Sequence, residues 1–121
     1  MGVPQRFAFQ RLEVYEVAKA VAQLIIEQRH VWAELPGELG ERISKATVNV
    51  LAEIAAGAAH TQKAEQRRHF QLARAAANEA MSCVELALLY GSMPGELREM
   101  LTSQLARVDS MLIGMIKRRT G

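Results

Sequence analysis

Apolar residues recur at intervals of three and four along nearly the whole chain, and the recurrence breaks at only three places. That period belongs to one face of an α-helix and does not fit the strict alternation of a half-buried strand. The breaks lie at 32–37, around His60, and between Gly91 and Pro94. A chain punctuated in this way has room for four long helices and little else.

The first predicted helix covers about residues 10–30. Leu12, Tyr15, Ala18, Ala22 and Ile25 carry its stripe, and Val14, Val17, Val21 and Leu24 widen the apolar face. Pro36 and Gly37 then mark a turn, because proline disfavours helix at the residue before it. The second helix covers about 38–59, with Leu39, Ile43, Ala46, Val50, Ile54 and Gly57 in line. Glycine inside a helix costs about 1 kcal/mol against alanine, so Gly57 is expected where a neighbouring backbone comes close. The third covers about 62–90, with Thr61 as its expected N-cap and Gly91 as its C′ residue. The fourth covers about 94–119, starting at Pro94, with Leu97, Leu101, Leu105, Val108, Leu112 and Ile116 in line. At about 1.5 Å per residue each helix is about 30–40 Å long. Matched lengths and short connections predict one all-α domain over residues 1–121, an antiparallel up-down-up-down four-helix bundle. Its core is expected to include Leu12, Ala22, Ile43, Val50, Ile54, Ala73, Ala80, Val84, Leu105 and Leu112.

Composition agrees. Half of the 121 residues are apolar but only 5% are aromatic, so Ala, Leu, Val and Ile must fill the interior, as in close-packed helices. Cys83 is the only cysteine and cannot form an intrachain disulfide; among Met81, Val84 and Leu86 it reads as a small buried hydrophobe. The first ten residues lack the apolar core of a signal peptide, and no apolar run is long enough to span a bilayer. A cytoplasmic protein without membrane contact is the expectation.

The charge is unevenly placed. Residues 1–59 carry six bases and seven acids, whereas residues 60–121 carry nine and six. On a wheel turning about 100° per residue, Lys63, Arg67 and Arg74 fall within about 40° of one another, away from the alanine stripe of Ala73, Ala76, Ala80 and Ala87. Arg68 joins from a neighbouring face, and Lys117, Arg118 and Arg119 add a second basic group at the end of the fourth helix. There cations also meet the negative end of the helix dipole favourably. A solvated helix face accounts for such a ridge on one chain; repeated around an oligomer, it makes a broad surface suited to phosphates. Lys63, Arg67 and Arg74 lie off the apolar stripe and are expected to be removable without loss of folding. The six scattered aromatics give no stacking platform, so backbone and shape rather than base sequence are the expected target.

Other chemistry finds little support. Glu65 and His69 are four apart, which predicts an ordinary helical Glu–His contact; with no third ligand at helical spacing, no metal is expected beside His60, Glu65 and His69. Ser44, Ser82 and Ser110 lack a nucleophile elbow, and no phosphate-binding loop or dinucleotide fingerprint is present. Glu79 is expected as a buried or interfacial anchor paired with a residue of another helix. Neither an enzyme nor a cofactor is expected.

The chain resembles the four-helix-bundle family encoded in intervening sequences of bacterial 23S ribosomal RNA. Phe9-x-x-Leu12-x-Val14-Tyr15-x-x-Ala18 is similar to its opening F-x-x-L-x-V-(W/Y)-x-x-A. Ile54-Ala55-Ala56-Gly57 resembles its N-I-A-E-G signature, with Glu53 in place of the asparagine and Ala56 in place of the glutamate. Phe70, Ala73, Ala76 and Glu79 follow its third-helix pattern L-x-x-A-x-(G)-S-x-x-E. The resemblance implies a ring-like homopentamer with a role alongside RNA or other nucleic acid, and no catalytic residues. A related bundle is the accessory protein of diversity-generating retroelements, which implies as an alternative an adaptor docking a protein partner such as a reverse transcriptase. Independently of the resemblance, Val84, Leu86, Leu88 and Leu89 place large apolar groups nearly all round the end of the third helix, more than one core can take. A homo-oligomer is the expectation.

Overall fold

In a computed structural model, which describes residues 7–91 and 93–120, every regular element is helical. A 3-10 turn at Ala8–Arg11 leads into α1 (Glu13–Glu27), the short α2 (Arg29–Ala33), α3 (Leu39–Ala59), α4 (Lys63–Leu89) and α5 (Gly95–Lys117). No helix of the described residues is long and apolar enough to cross a membrane.

The four long segments expected from periodicity are present, and their ends show the local chemistry that sets them. Gly91, at φ 74°, takes the left-handed conformation of a C′ residue, and its N–H reaches the Leu88 carbonyl at 3.0 Å. Pro94 is the N-cap of α5 rather than its first residue, because its ψ of 137° is still extended. Gln62, not Thr61, caps α4, and no side chain bonds the free amides there. The turn is closed instead by Gln66, whose amide donates to the His60 carbonyl at 2.7 Å.

The expected first helix is divided. It breaks at Gln28, and α2 then turns Val31 and Trp32 into the core, followed by Leu35. The indole N–H of Trp32 donates to the Ile25 carbonyl at 3.2 Å, so the break is satisfied from within. A Cβ on Gly40 would lie 2.9 Å from the Trp32 carbonyl oxygen, so α3 can start this close only with glycine there.

One core runs through all the helices. α4 packs against α3 and α5, and α1 packs against α5 and α3. Ile43, Ile54, Phe70, Leu101, Leu112, Val21, Val84 and Val108 are its largest fully buried side chains. Of the expected core residues, Leu12 and Ala22 are only partly covered and the other eight are buried. The buried face of α1 is Val14, Val17, Ala18, Val21 and Ile25, a rotation toward the β-branched side of the wide stripe. On α4 the small residues Ala73, Ala77, Ala80 and Ala87 are inside, and Ala76 sits at the edge. Alanines on α4 leave room for its neighbours, and one large side chain, Phe70, fills the end of the core nearest the α3–α4 turn. A Cβ at Gly57 would meet the Phe70 ring at 2.6 Å. The close approach at Gly57 is therefore to an aromatic side chain, not to a backbone.

Cross-helix contacts order the elements. Glu53 meets His69 and Gly57 meets Phe70 between α3 and α4. Arg67 meets Arg119 and Arg74 meets Asp109 between α4 and α5, while Glu13 meets Arg107 between α1 and α5.

Candidate functional site

The two basic groups, more than forty residues apart in sequence, meet in space where α4 begins and α5 ends. Arg67 donates through Nη1 to the Arg119 carbonyl at 2.6 Å, and Arg119 donates through Nε to Gln66 Oε1 at 3.0 Å. Arg119 also reaches back to the Met115 carbonyl at 2.9 Å, satisfying an end carbonyl of α5. Its guanidinium lies 4.9 Å from the centre of the Phe70 ring, a cation–π contact. Burial and then the neighbouring Arg118 charge lower its pKa from the ordinary arginine value. Arg119 is thus a structural strap that holds the basic tail of α5 to the first turns of α4.

The remaining cations of this end differ in freedom. Lys63, Lys117 and Arg118 are exposed, and none has an ion-pair partner among the described residues. Arg68 is paired with Glu65 at 3.3 Å, an exposed pair of little worth to stability. Arg74 is tied to Asp109 at 2.8 Å, and Asn78 donates to the same carboxylate oxygen. The single ridge expected from Lys63, Arg67 and Arg74 is therefore corrected. Lys63 is free, Arg67 is half-buried and bonded to the α5 tail, and Arg74 is neutralised by an acid of α5. A helical wheel of α4 cannot show this, because each partner comes from another helix.

The expected contact between Glu65 and His69 is also replaced. Glu65 bonds Arg68, while His69 Nδ1 bonds Glu53 Oε1 of α3 at 2.9 Å. His60, extended at the end of α3, stacks its ring on that of His69 with centroids 5.0 Å apart. One ligand atom each from His60, Glu65 and His69 lie within 4.8 Å of one another. Helical spacing offers no third ligand to Glu65 and His69, and His60 stands outside α4. The turn at 60–62 brings it back over the first turns of that helix.

Elsewhere, an open cleft of about 1100 Å³ lies between the end of α1, α2 and the first half of α3. Arg29, Arg42 and Lys45 share it with Glu38, Glu41 and Glu79, and no ion pair joins them. Glu79 is exposed there, contrary to the expected buried anchor, because it faces the cleft rather than the core. Cys83 is buried, and its thiol pKa is raised by that burial and by the charge of Glu79, with Arg42 opposing.

Residues 10–114 match the family of 23S rRNA-intervening sequence proteins, a span that takes in α1 to α4 and most of α5. No curated protein matches the chain.

Proposed function

This chain belongs to the 23S rRNA-intervening sequence protein family, and we propose that it is a non-enzymatic, homo-oligomeric helical protein of the cytoplasm that binds the nucleic-acid backbone through the basic end of the molecule. The observation that carries the reading is the strap from Arg119 to Gln66 and from Arg67 to Arg119. It gathers Lys63, Lys117 and Arg118 near one end, exposed and without acid partners among the described residues. Flexible cations of this kind neutralise phosphates without reading bases.

The topology in this reading is an antiparallel up-down-up-down four-helix bundle. Support comes from α4 and α5, where Arg67 meets Arg119 and Arg74 meets Asp109, and from α3 and α4, where Gly57 faces Phe70 while the Arg42 charge acts on Cys83, so that rising numbers on one helix meet falling numbers on the next. Assembly is supported by exposed apolar side chains of α4 and its end, Leu72, Leu86, Leu89 and Tyr90, with Leu89 82% exposed. In a ring of such chains, five by the family resemblance, the basic end repeats around the assembly and the local charge multiplies.

Anisotropy titrations with unrelated RNA and DNA, run beside sedimentation of the same sample, test this. The reading expects an oligomer at micromolar concentration that binds all probes at low salt and releases them as salt rises. An oligomer that binds none of them points instead to an adaptor docking a protein partner through the apolar face.

A further inference from the structure

The geometry points to a divalent transition-metal site of the zinc class, formed by His60, Glu65 and His69 where α3 turns into α4. It does not rest on the nucleic-acid reading, since none of its three ligands belongs to the basic surface.

The first support is proximity. The three ligand atoms lie within 4.8 Å of one another. Atoms at that limit stand about 2.8 Å from a common centre, against about 2.0–2.2 Å for zinc bound to imidazole nitrogen or carboxylate oxygen. Each ligand atom has to close by about 0.7 Å, and the exposed His60 ring, which lies within 11° of parallel to that of His69, has to turn out of the stack so that both lone pairs reach one centre. Two imidazoles and a carboxylate with a fourth position open to water form a recurrent zinc set.

The second support is the state of His69. Its Nδ1 meets a carboxylate oxygen of Glu53 at 2.9 Å, and a carboxylate only accepts, so Nδ1 carries the proton. Its Nε2 faces Arg68 Nη2 at 3.2 Å, and a guanidinium only donates, so Nε2 presents a lone pair. A carboxylate that fixes the tautomer and ring orientation of a histidine is the usual outer partner of a metal-binding imidazole.

The third support is a cation already placed there. Arg68 Nη2 touches both Glu65 Oε2, at 3.3 Å, and His69 Nε2, at 3.2 Å. The guanidinium thus bridges one acceptor atom of each of two candidate ligands. Its side chain is 56% exposed, so it can leave for water at small cost. The incoming ion replaces one positive group with another between the same acceptors.

The test titrates tag-free full-length chain with Zn²⁺ against a chromophoric chelator, and follows Co²⁺ binding by its visible absorption. Wild type should bind one ion per chain at micromolar or lower concentration. His60→Ala and His69→Ala should each weaken binding at least tenfold, and His30→Ala, which alters the remaining histidine, should not change it. Glu53→Gln should weaken it by about ten- to a hundredfold, as loss of an outer-shell partner does. Arg68→Ala should tighten it, because the competing cation is gone. The Co²⁺ spectrum should show weak d–d bands without a thiolate charge-transfer band. Circular dichroism on every variant separates a lost site from a lost fold, with Glu65→Gln as the milder ligand change. Absence of wild-type binding, unchanged affinity in folded His60→Ala and His69→Ala, or a thiolate band from Cys83 would each overturn the site.

Discussion

Gly57→Ala exposes the conflict between helix propensity and packing at the basic end. Alanine should favour α3 by about 1 kcal/mol over glycine in a helix interior, and by less in a last turn. The new Cβ, however, would stand 2.6 Å from Phe70 Cε1 and 2.9 Å from Cδ1. Ordinary carbon contacts are about 3.5–4.0 Å, so the ring has to retreat by about 1 Å. Phe70 is only 1% exposed, and its ring has the Arg119 guanidinium 4.9 Å away. That guanidinium is itself bonded to Gln66 and Met115. Overpacking of this kind costs about 1–3 kcal/mol, which leaves a net loss of about 1–2 kcal/mol after the propensity gain. For a chain of this size the loss lowers Tm by about 4–8 °C. Thermal unfolding of wild type, Gly57→Ala, Phe70→Leu and the double variant forms a closed cycle. With Phe70 already shortened, Gly57→Ala should be neutral or stabilising. A Tm that rises on Gly57→Ala with Phe70 intact would refute the packing argument.

Three further outcomes follow from the same contacts. Arg119→Ala should cost about 1–2 kcal/mol in urea unfolding through its hydrogen bonds and its contact with Phe70, whereas exposed Arg118→Ala should stay within about 0.5 kcal/mol of wild type. Trp32→Phe removes the indole bond to the Ile25 carbonyl and should cost about 1 kcal/mol or more in the same assay. Cys83 should react with a disulfide reagent at pH 8 much more slowly than a free thiol and recover its rate in denaturant. Burial and the Glu79 charge raise its pKa, so less thiolate is present in the folded chain at that pH.

The parts legible in the sequence are those governed by local periodicity. The stripes of α3 and of α5 up to Leu112 are buried as spaced, because most large apolar side chains of each fall in a single row. α1 has apolar residues on more than half its circumference, so its period defines a helix without defining which side faces inward. Trp32 escaped because α2 is a single short turn, and the bond that holds it reaches back seven residues to Ile25. Gly91 was readable, since a left-handed C′ residue favours glycine. The candidate surface was readable by composition but not by partner. Nothing near Arg67 in sequence announces the Arg119 carbonyl 52 positions away, and nothing near Arg74 announces Asp109. His60 was visible beside Glu65 and His69 but its placement was not: helical spacing has no meaning across a turn, and only the packed turn sets its ring on His69.

Phosphate binding by the exposed cations at the α4 start and α5 end should show itself in salt dependence. Fluorescence anisotropy would compare wild type with the Lys63→Gln, Lys117→Gln, Arg118→Gln triple variant across a salt series. These side chains are exposed and unpaired among the described residues, unlike Arg67 and Arg74, so helicity and oligomer size should be preserved. The triple variant should bind unrelated RNA and DNA alike more weakly, with the slope of log K against log salt reduced by up to about 0.7–0.9 per lost phosphate contact. No wild-type binding at low salt, or a triple variant with the wild-type affinity and slope, would contradict it.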